Sequence, residues 1–584
     1  MRSLRAGNTI VSRRGLVSLV AALAVLLLCS PIAQALTWLD FIDYAKLKSR
    51  VGSSLPTGAG VPISIVEAPS GVAKYLVDAS VIQFNGSLDA NGVAVTVINL
   101  SGLPGAGTSP HATNVVGAAF FGDTFSVAPG ANTVNIYEAN DWLNDELSYA
   151  GSAEPTPQNF RVQNHSWIHS FSSTNVWSEH PSNVSALRRY DYVIDTANNG
   201  DGLTAVVGLN NTAEPLPYLF GHSYNAIAVG RSDGVHSAGL TLPFDGSPPD
   251  SSYGPGRGKP ELVVPLSTTS AATAAVSSAA TMLYQSAGAS AAAKNEVMKA
   301  VLLAGATKEE FPGWSRTATR PLDDVFGAGE LNVYNSYLVQ LGGQHAGSLT
   351  PPSTLAGSYG WDYQNRKGQP SIGDIYYNFQ IPAGSTASEF SAVLAWNLKV
   401  TDTNPGADFI PTHALQNLDL EFYRSTGGFL SQLIDSSVST VDNVEHVYVS
   451  SLGPGTYTLK VSGAANWDFG LAWRMSTQFD EISADFDEDG DVDGGDFLAW
   501  QRHVGKLLDA GHEQGDADGD GDVDGDDLSA WKLKLMPSPA EAAAQSIASV
   551  PEPGTMALAA SAVGLAGVAA RLTRRGRWLG RTTR

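Results

Sequence analysis

The stretch Gly58-Ala-Gly60-Val61-Pro-Ile63-Ser-Ile65-Val66-Glu67 decides the reading of the first half of the chain. Its apolar run is introduced by glycines and closed by a carboxylate, the form of a strand buried on both faces that delivers an acid at its C-terminal end. Working outward, His111-Ala112-Thr113-Asn114-Val115-Val116-Gly117 opens an apolar helix with an imidazole at its start. Val162-Gln-Asn164-His-Ser166-Trp167 reads as a strand, Tyr192-Val193-Ile194-Asp195-Thr196-Ala197-Asn198-Asn199-Gly200 as a strand running into a polar turn, and Ala226-Ile-Ala-Val229-Gly230 as a further strand. Lys259-Pro260-Glu261-Leu-Val-Val-Pro265 then leads into Thr268-Thr269-Ser270-Ala271-Ala272-Thr273-Ala274, the first turns of a long Ala/Ser helix. From Leu36 to about Gly343, short β-rich runs alternate with helical stretches, the pattern of a parallel α/β sheet.

These fragments, in this order, resemble the subtilisin-like serine peptidases over roughly 300 residues. The resemblance implies an acid at Glu67, a base at His111, an oxyanion-binding amide at Asn198 and a nucleophile at Ser270, spaced 44, 87 and 72 residues apart. It also places Ser166 and Trp167 on a strand that pairs with an extended peptide substrate. The chemistry fits. A serine hydroxyl becomes a useful nucleophile only when an imidazole takes its proton, and a carboxylate orients that imidazole and stabilises its cation. Five positions depart from the family pattern. Glu67 replaces Asp, Ala112 and Asn114 alter the His motif, and Thr268 and Ala274 replace the Gly and Pro flanking the serine motif. Asn99, on the strand 93–100, lies only twelve residues before His111, too close to serve as the acid in this topology. Little chain separates Ala35 from the first core strand, so an inhibitory prodomain is not expected.

Residues 350–477 alternate strand patterns with Gly/Pro turns: Asp374 to Ile381, Glu389 to Leu398, Asn417 to Tyr423, Glu445 to Ser450, Thr456 to Val461 and Phe469 to Trp473. Short strands at this spacing predict a β-sandwich of jelly-roll type, without a catalytic constellation.

The acidic excess is local. The chain carries a net charge of −22, and between Asp480 and Met536 there are 18 acidic and 4 basic residues. Within this segment lies a repeat: Asp485-Phe-Asp487-Glu-Asp489-Gly490-Asp491-Val492-Asp493-Gly-Gly-Asp496 returns 31 residues later as Asp516-Ala-Asp518-Gly-Asp520-Gly521-Asp522-Val523-Asp524-Gly-Asp-Asp527. Oxygen donors at loop positions 1, 3, 5 and 12, a carbonyl at position 7 and Gly at position 6 form the ligand pattern of a calcium loop. Val492 and Val523, at position 8, are expected to pair across the two loops. Each loop runs into a helical pattern carrying Trp500 or Trp531 at the same offset, and residues 480–536 resemble dockerin type I modules. That resemblance implies bound calcium, a small α-helical module and a cohesin-like docking partner, in the company of polysaccharide-degrading systems.

Both ends read as sorting signals. Arg2, Arg5, Arg13 and Arg14 precede an apolar run from Leu16 to Cys29 and an Ala33-Gln34-Ala35 site, the layout of an export signal over residues 1–35, with Arg13-Arg14 permitting a twin-arginine route. Removal of that segment takes away the only cysteine, which excludes disulfides, a thiol nucleophile and cysteine-ligated zinc. After a linker at 537–549, Val550-Pro551-Glu552-Pro553-Gly554, an apolar stretch from Met556 to Ala570 and a cluster of arginines resemble the PEP-CTERM sorting signal. It implies an exosortase-type processing enzyme and transient membrane contact at 550–584, in the envelope of a Gram-negative-type bacterium. A chain this acidic, with Lys+Arg 35 against Asp+Glu 57, is not built to bind nucleic acid. The function expected from the residues is that of an exported serine endopeptidase. A catalytically impaired subtilase-fold binding protein and a dockerin-bearing component of a polysaccharide-degrading system stand as alternatives.

Overall fold

The structure is a computed structural model that describes residues 37–535, except 82–83, 85–86, 170, 172–180, 212–218, 233–257, 309–310, 352–353, 372, 480–482 and 490–491. The two terminal sorting segments, the 537–549 linker and Asp491 therefore lie outside the described residues. Two compact units result, one ending at Gln478 and the other beginning at Phe479.

The first unit is built on seven parallel strands: β1 (Ile63–Glu67), β2 (Thr96–Asn99), β3 (Thr133–Glu138), β4 (Val162–His165), β5 (Thr204–Gly208), β6 (Ile227–Arg231) and β7 (Leu262–Val264). Their order across the sheet is β2-β3-β1-β4-β5-β6-β7. Every residue of β1 is buried, as the unbroken Ile63-Ser-Ile-Val run requires at the centre of a sheet covered on both faces. From β1 the chain runs out to β2, returns through β3 and crosses β1 to reach β4. The strand order therefore reverses between β1 and β4, and side chains at the C-terminal ends of these two strands face the crevice where such sheets hold their ligands.

The strand expected from Tyr192 is instead the last part of helix α1 (Pro181–Gly200), while the expected polar turn is present where the backbone leaves the helical region at Ala197, Asn198 and Asn199. Asn183, Val184, Ala186, Leu187, Tyr190, Val193, Ile194 and Ala197 are buried, a three- and four-residue spacing that makes one apolar helical face. The period becomes visible only when the window reaches upstream of Tyr192. Helix α2 (Thr269–Ala287) follows β7 as expected and is buried along nearly its whole length, its small Ala and Ser side chains allowing close approach to the sheet.

Residues 359–479 form two four-stranded antiparallel sheets, with β8 (Tyr359–Asn365), β9 (Ile375–Ile381), β10 (Ser385–Ala395), β11 (Lys399–Asp402), β12 (Pro411–Ala414), β13 (Asp419–Thr426), β14 (Phe429–Ser437), β15 (Val444–Val449), β16 (Gly455–Ser462) and β17 (Asp468–Phe479). The orders are β8-β17-β10-β15 and β9-β16-β13-β14, with β11 and β12 a separate hairpin. Strands from the two ends of the segment pair first, and this winding is that of a jelly roll. Phe390 stacks on Phe422 at 4.2 Å between the sheets.

The jelly roll is fused to the parallel-sheet half. Arg474 on β17 pairs with Glu389 on β10 and donates to the carbonyls of Ala304 and Ala306, at the end of helix α3 (Asn295–Gly305). Gly470 lies so close to the start of α3 that a Cβ there would sit 2.5 Å from the Glu296 carbonyl carbon. At the end of α1, Asp195 accepts from Lys399 and Asn397 of the jelly roll. Burial pushes the Glu296 carboxyl up to about 7, with Lys399 pulling the other way.

The second unit carries helix α4 (Gly494–His503) and helix α5 (Gly525–Leu535), each entered from one acidic loop. The Trp500 indole donates to the Asp524 carbonyl at 2.7 Å, and the Trp531 indole donates to the Asp493 carbonyl at 2.8 Å. Each helix thus braces the equivalent position of the other loop. The backbone of Val523 pairs with Gly505 and Lys506, because the segment after α4 turns back alongside the second loop, and Val492 packs on the small core of Ala484, Phe486 and Ala517. Among the described residues no helix is long and apolar enough to cross a membrane.

Candidate active site

Glu67 ends β1 with its side chain 1% exposed, and its Oε1 lies 2.6 Å from His111 Nδ1. Burial raises the Glu67 carboxyl above its ordinary value, against the pull of the His111 hydrogen bond. The same hydrogen bond raises His111, with burial working against it and the carboxylate charge adding to it. Glu67 Oε2 is buried without a hydrogen-bond partner. His111 itself is partly exposed and stands before a π-helical turn, Ala112–Gly117, a wide coil that often marks functional positions. The turn is anchored by Thr113, which donates to the Ser109 carbonyl and accepts from the Asp78 N–H.

Ser270 occupies the first turn of α2, where backbone N–H groups lack intrahelical partners. Thr268 caps the helix by accepting from the Ala271 N–H, and Thr269 is pinned to the Leu209 carbonyl and the Asn211 carboxamide. The Ser270 hydroxyl donates to the Ser166 carbonyl at 3.2 Å, while the Ser166 hydroxyl donates to the Ser270 carbonyl at 2.8 Å. Ser166 is held in turn by the Asn164 carboxamide. Trp167, just past the end of β4, donates from its indole to the Val66 carbonyl at 2.9 Å and so ties the β4 exit to β1. Glu67, Ser166, Trp167 and Ser270 therefore gather at the C-terminal ends of β1 and β4 and the N-terminus of α2, with His111 joined to the group through Glu67.

Asn198 is not among them. Its carboxamide donates to the carbonyls of Phe160 and Gly202, which precede β4 and β5, and its backbone adopts φ 52°. It closes a left-handed turn at the opposite edge of the sheet from Ser270, the length of a five-residue strand or about 15 Å away. Two carboxamides after β5 do share a cleft with Ser270, that of Asn211, whose Oδ1 accepts from the Thr269 N–H and hydroxyl, and that of the buried Asn210. The signal for them was Leu203-Thr-Ala-Val-Val-Gly208 running into Asn210-Asn211, a buried strand ending in a polar turn. Asn99 accepts from the Tyr75 hydroxyl and the Gly102 N–H and plays no part in the group.

In the second unit, carboxylate oxygens of Asp485, Asp487 and Asp496 lie within 4.8 Å of one another, as do those of Asp516, Asp518 and Asp527. Asp489 and Asp520 stand outside these groups; Asp489 donates its N–H to Asp485, and Asp520 accepts from the Asp522 N–H. Asp522 and Asp524 form a further group with Asp527. Asp496 and Asp527 are each fixed by backbone N–H groups of their own loop. Burial first and neighbouring carboxylates after it push Asp516 and Asp527 up to about 7. An all-oxygen set of carboxylates crowded to this degree suits a hard divalent cation such as calcium.

Residues 549–575 match the PEP-CTERM protein-sorting motif. None of the curated proteins matches the chain. Similar solved structures include the patellamide maturation protease PatA, with 21% identity and a TM-score of 0.30, covering 49% of this chain and 98% of that one. A serine protease described as an essential component of the type VII secretion system has 14% identity and a TM-score of 0.29, covering 53% of this chain and 89% of that one. A psychrophilic subtilisin-like protease from Pseudoalteromonas sp. AS-11 has 13% identity and a TM-score of 0.29, covering 50% and 96%.

Proposed function

We propose that the chain is an exported serine endopeptidase of the subtilisin-like kind, working through Glu67, His111 and Ser270. The observation that carries this reading is the 2.6 Å contact of His111 Nδ1 with a buried carboxylate, beside a serine on a helix N-terminus at the reversal point of a parallel sheet. With Nδ1 committed to Glu67, Nε2 is the nitrogen left to take the Ser270 proton as Oγ attacks the substrate carbonyl. Glu67 stabilises the imidazolium that forms. The oxyanion accepts from the Ser270 N–H and the Asn210 carboxamide. Its collapse expels the leaving amine, which takes the proton from His111, and water then releases the acyl group by the same route in reverse.

Labelling the purified protein with a fluorophosphonate tests the assignment. An adduct at Ser270, lost in Ser270→Ala and in His111→Ala, is the expected result; folded protein without an adduct refutes it. A second reading, a binding scaffold that does not hydrolyse peptides, draws on the Ser270 hydroxyl being turned to the Ser166 carbonyl, and the same label separates the two. Catalysis requires the Ser270 hydroxyl to turn its hydrogen bond from that carbonyl to the imidazole.

The sorting motif supports export and handling by an exosortase-type enzyme at the cell envelope. The acidic loops support calcium binding by a dockerin-like module that tethers the enzyme to a cohesin-like partner. Calorimetric titration with calcium should give saturable heat that falls when Asp485→Ala and Asp516→Ala are combined; an unchanged titration refutes the loops as the site.

A further inference from the structure

The cleft between the ends of β4 and β5 is the narrow one. It is lined by Ser166, Trp167, Ile168, Leu209, Asn210 and Ser270 among others, and its volume is about 60 Å³. A cavity of about 150 Å³ is what holds a benzene ring in a protein interior. The wall that limits the cleft is not free to swing aside. Trp167 is fixed at its indole nitrogen by the Val66 carbonyl, and its ring packs against His165 at 5.7 Å and Phe220 at 5.5 Å. His165 is itself fully buried and bonded to Gln163. Leu209 also lines the cleft, and its carbonyl accepts from Thr269 one residue before Ser270, while Ser166, the neighbour of Trp167, exchanges hydrogen bonds with Ser270 itself.

We propose that Trp167 is a specificity-determining residue, and that it restricts the side chain preceding the scissile bond to glycine, alanine or serine. The inference rests on Ser270 as the nucleophile. An acyl group on Oγ, with its carbonyl oxygen towards Asn210, brings the preceding side chain into this cleft, where a phenyl or isobutyl group meets the indole. Endopeptidases with open pockets gain rate from filling them with large apolar groups; here a large group is refused and the small one is selected by exclusion.

Peptidyl diphenyl phosphonates test this without requiring turnover, because the serine oxygen displaces phenoxide at phosphorus and remains bonded there. The full chain is treated with an alanine-type and a phenylalanine-type phosphonate of the same peptide length, and residual fluorophosphonate labelling of Ser270 is followed with time. The alanine compound should inactivate at least tenfold faster. Trp167→Ala should narrow or reverse that ratio, and Trp167→Leu, which keeps an apolar side chain against His165 and Phe220, should do so in part. Equal rates in the native protein, a ratio unmoved by both substitutions, or labelling by fluorophosphonate with neither peptidyl compound reacting would overturn the inference and leave the nucleophile standing. Absence of fluorophosphonate labelling removes the nucleophile and this inference with it.

Discussion

At the scale of single residues, the two asparagines separate position from appearance. Asn210→Ala should lower kcat by about 10²–10³ with little change in KM, the usual effect of losing one oxyanion donor. Asn198→Ala should leave peptide hydrolysis intact but cost about 1–3 kcal/mol of stability, since it removes two bonds to main-chain carbonyls and a residue type that tolerates left-handed backbone. A denaturant titration beside a steady-state assay reads both. The pairing of Glu67 with His111 was legible because a strand-terminal carboxylate and a helix-initial imidazole carry their own local patterns. Asn198 misled because Ala197-Asn198-Asn199-Gly200 is a turn whatever precedes it, and a turn alone does not say which edge of the sheet it closes. Glu67 also fixes the pH response. Because Glu67 raises His111, the base stays protonated to higher pH than a free imidazole, so kcat/KM should climb as pH rises through that raised value. Glu67→Gln should move this limb towards acid while reducing turnover by up to about 10⁴.

At the scale of elements, the strands of the jelly roll were readable because alternation and turn residues are local. Helix α1 was not, because its period lies mostly upstream of the apolar run that suggested a strand. The acidic loops were readable as a repeat, but the partner of Val523 depends on how the segment after α4 folds back, which no loop pattern encodes. These loops make a prediction of their own. Asp516 and Asp527 are pushed up to about 7 by burial first and by neighbouring carboxylates after it, well above the carboxylates of an unfolded chain. The folded module therefore binds more protons than the unfolded one between about pH 4 and 7, and its stability in chelator should fall as pH rises across that interval. Calcium should restore it at neutral pH. A chelated module equally stable at pH 5 and pH 7.5 by thermal unfolding would contradict this.

At the scale of the whole molecule, the parallel-sheet half and the jelly roll behave as one body, and the sequence boundary near 343–350 is a change of architecture rather than a seam. Every residue of α3 is buried, and part of that cover comes from β10 and β17. Gly470→Val should therefore lower the melting temperature of the entire 37–478 unit in a single transition, because its side chain would meet the Glu296 backbone. Separate loss of the jelly roll alone would show the two halves to be independent. The attachment points matter for a protein carrying a C-terminal sorting motif. Asp195 and Glu296 lie towards the edge of the sheet where Asn198 closes its turn, not the edge where Ser270 stands. Arg474 grips the far end of α3 as well, so tension drawn along β17 would be shared between both ends of that helix instead of falling on a single strand of the sheet.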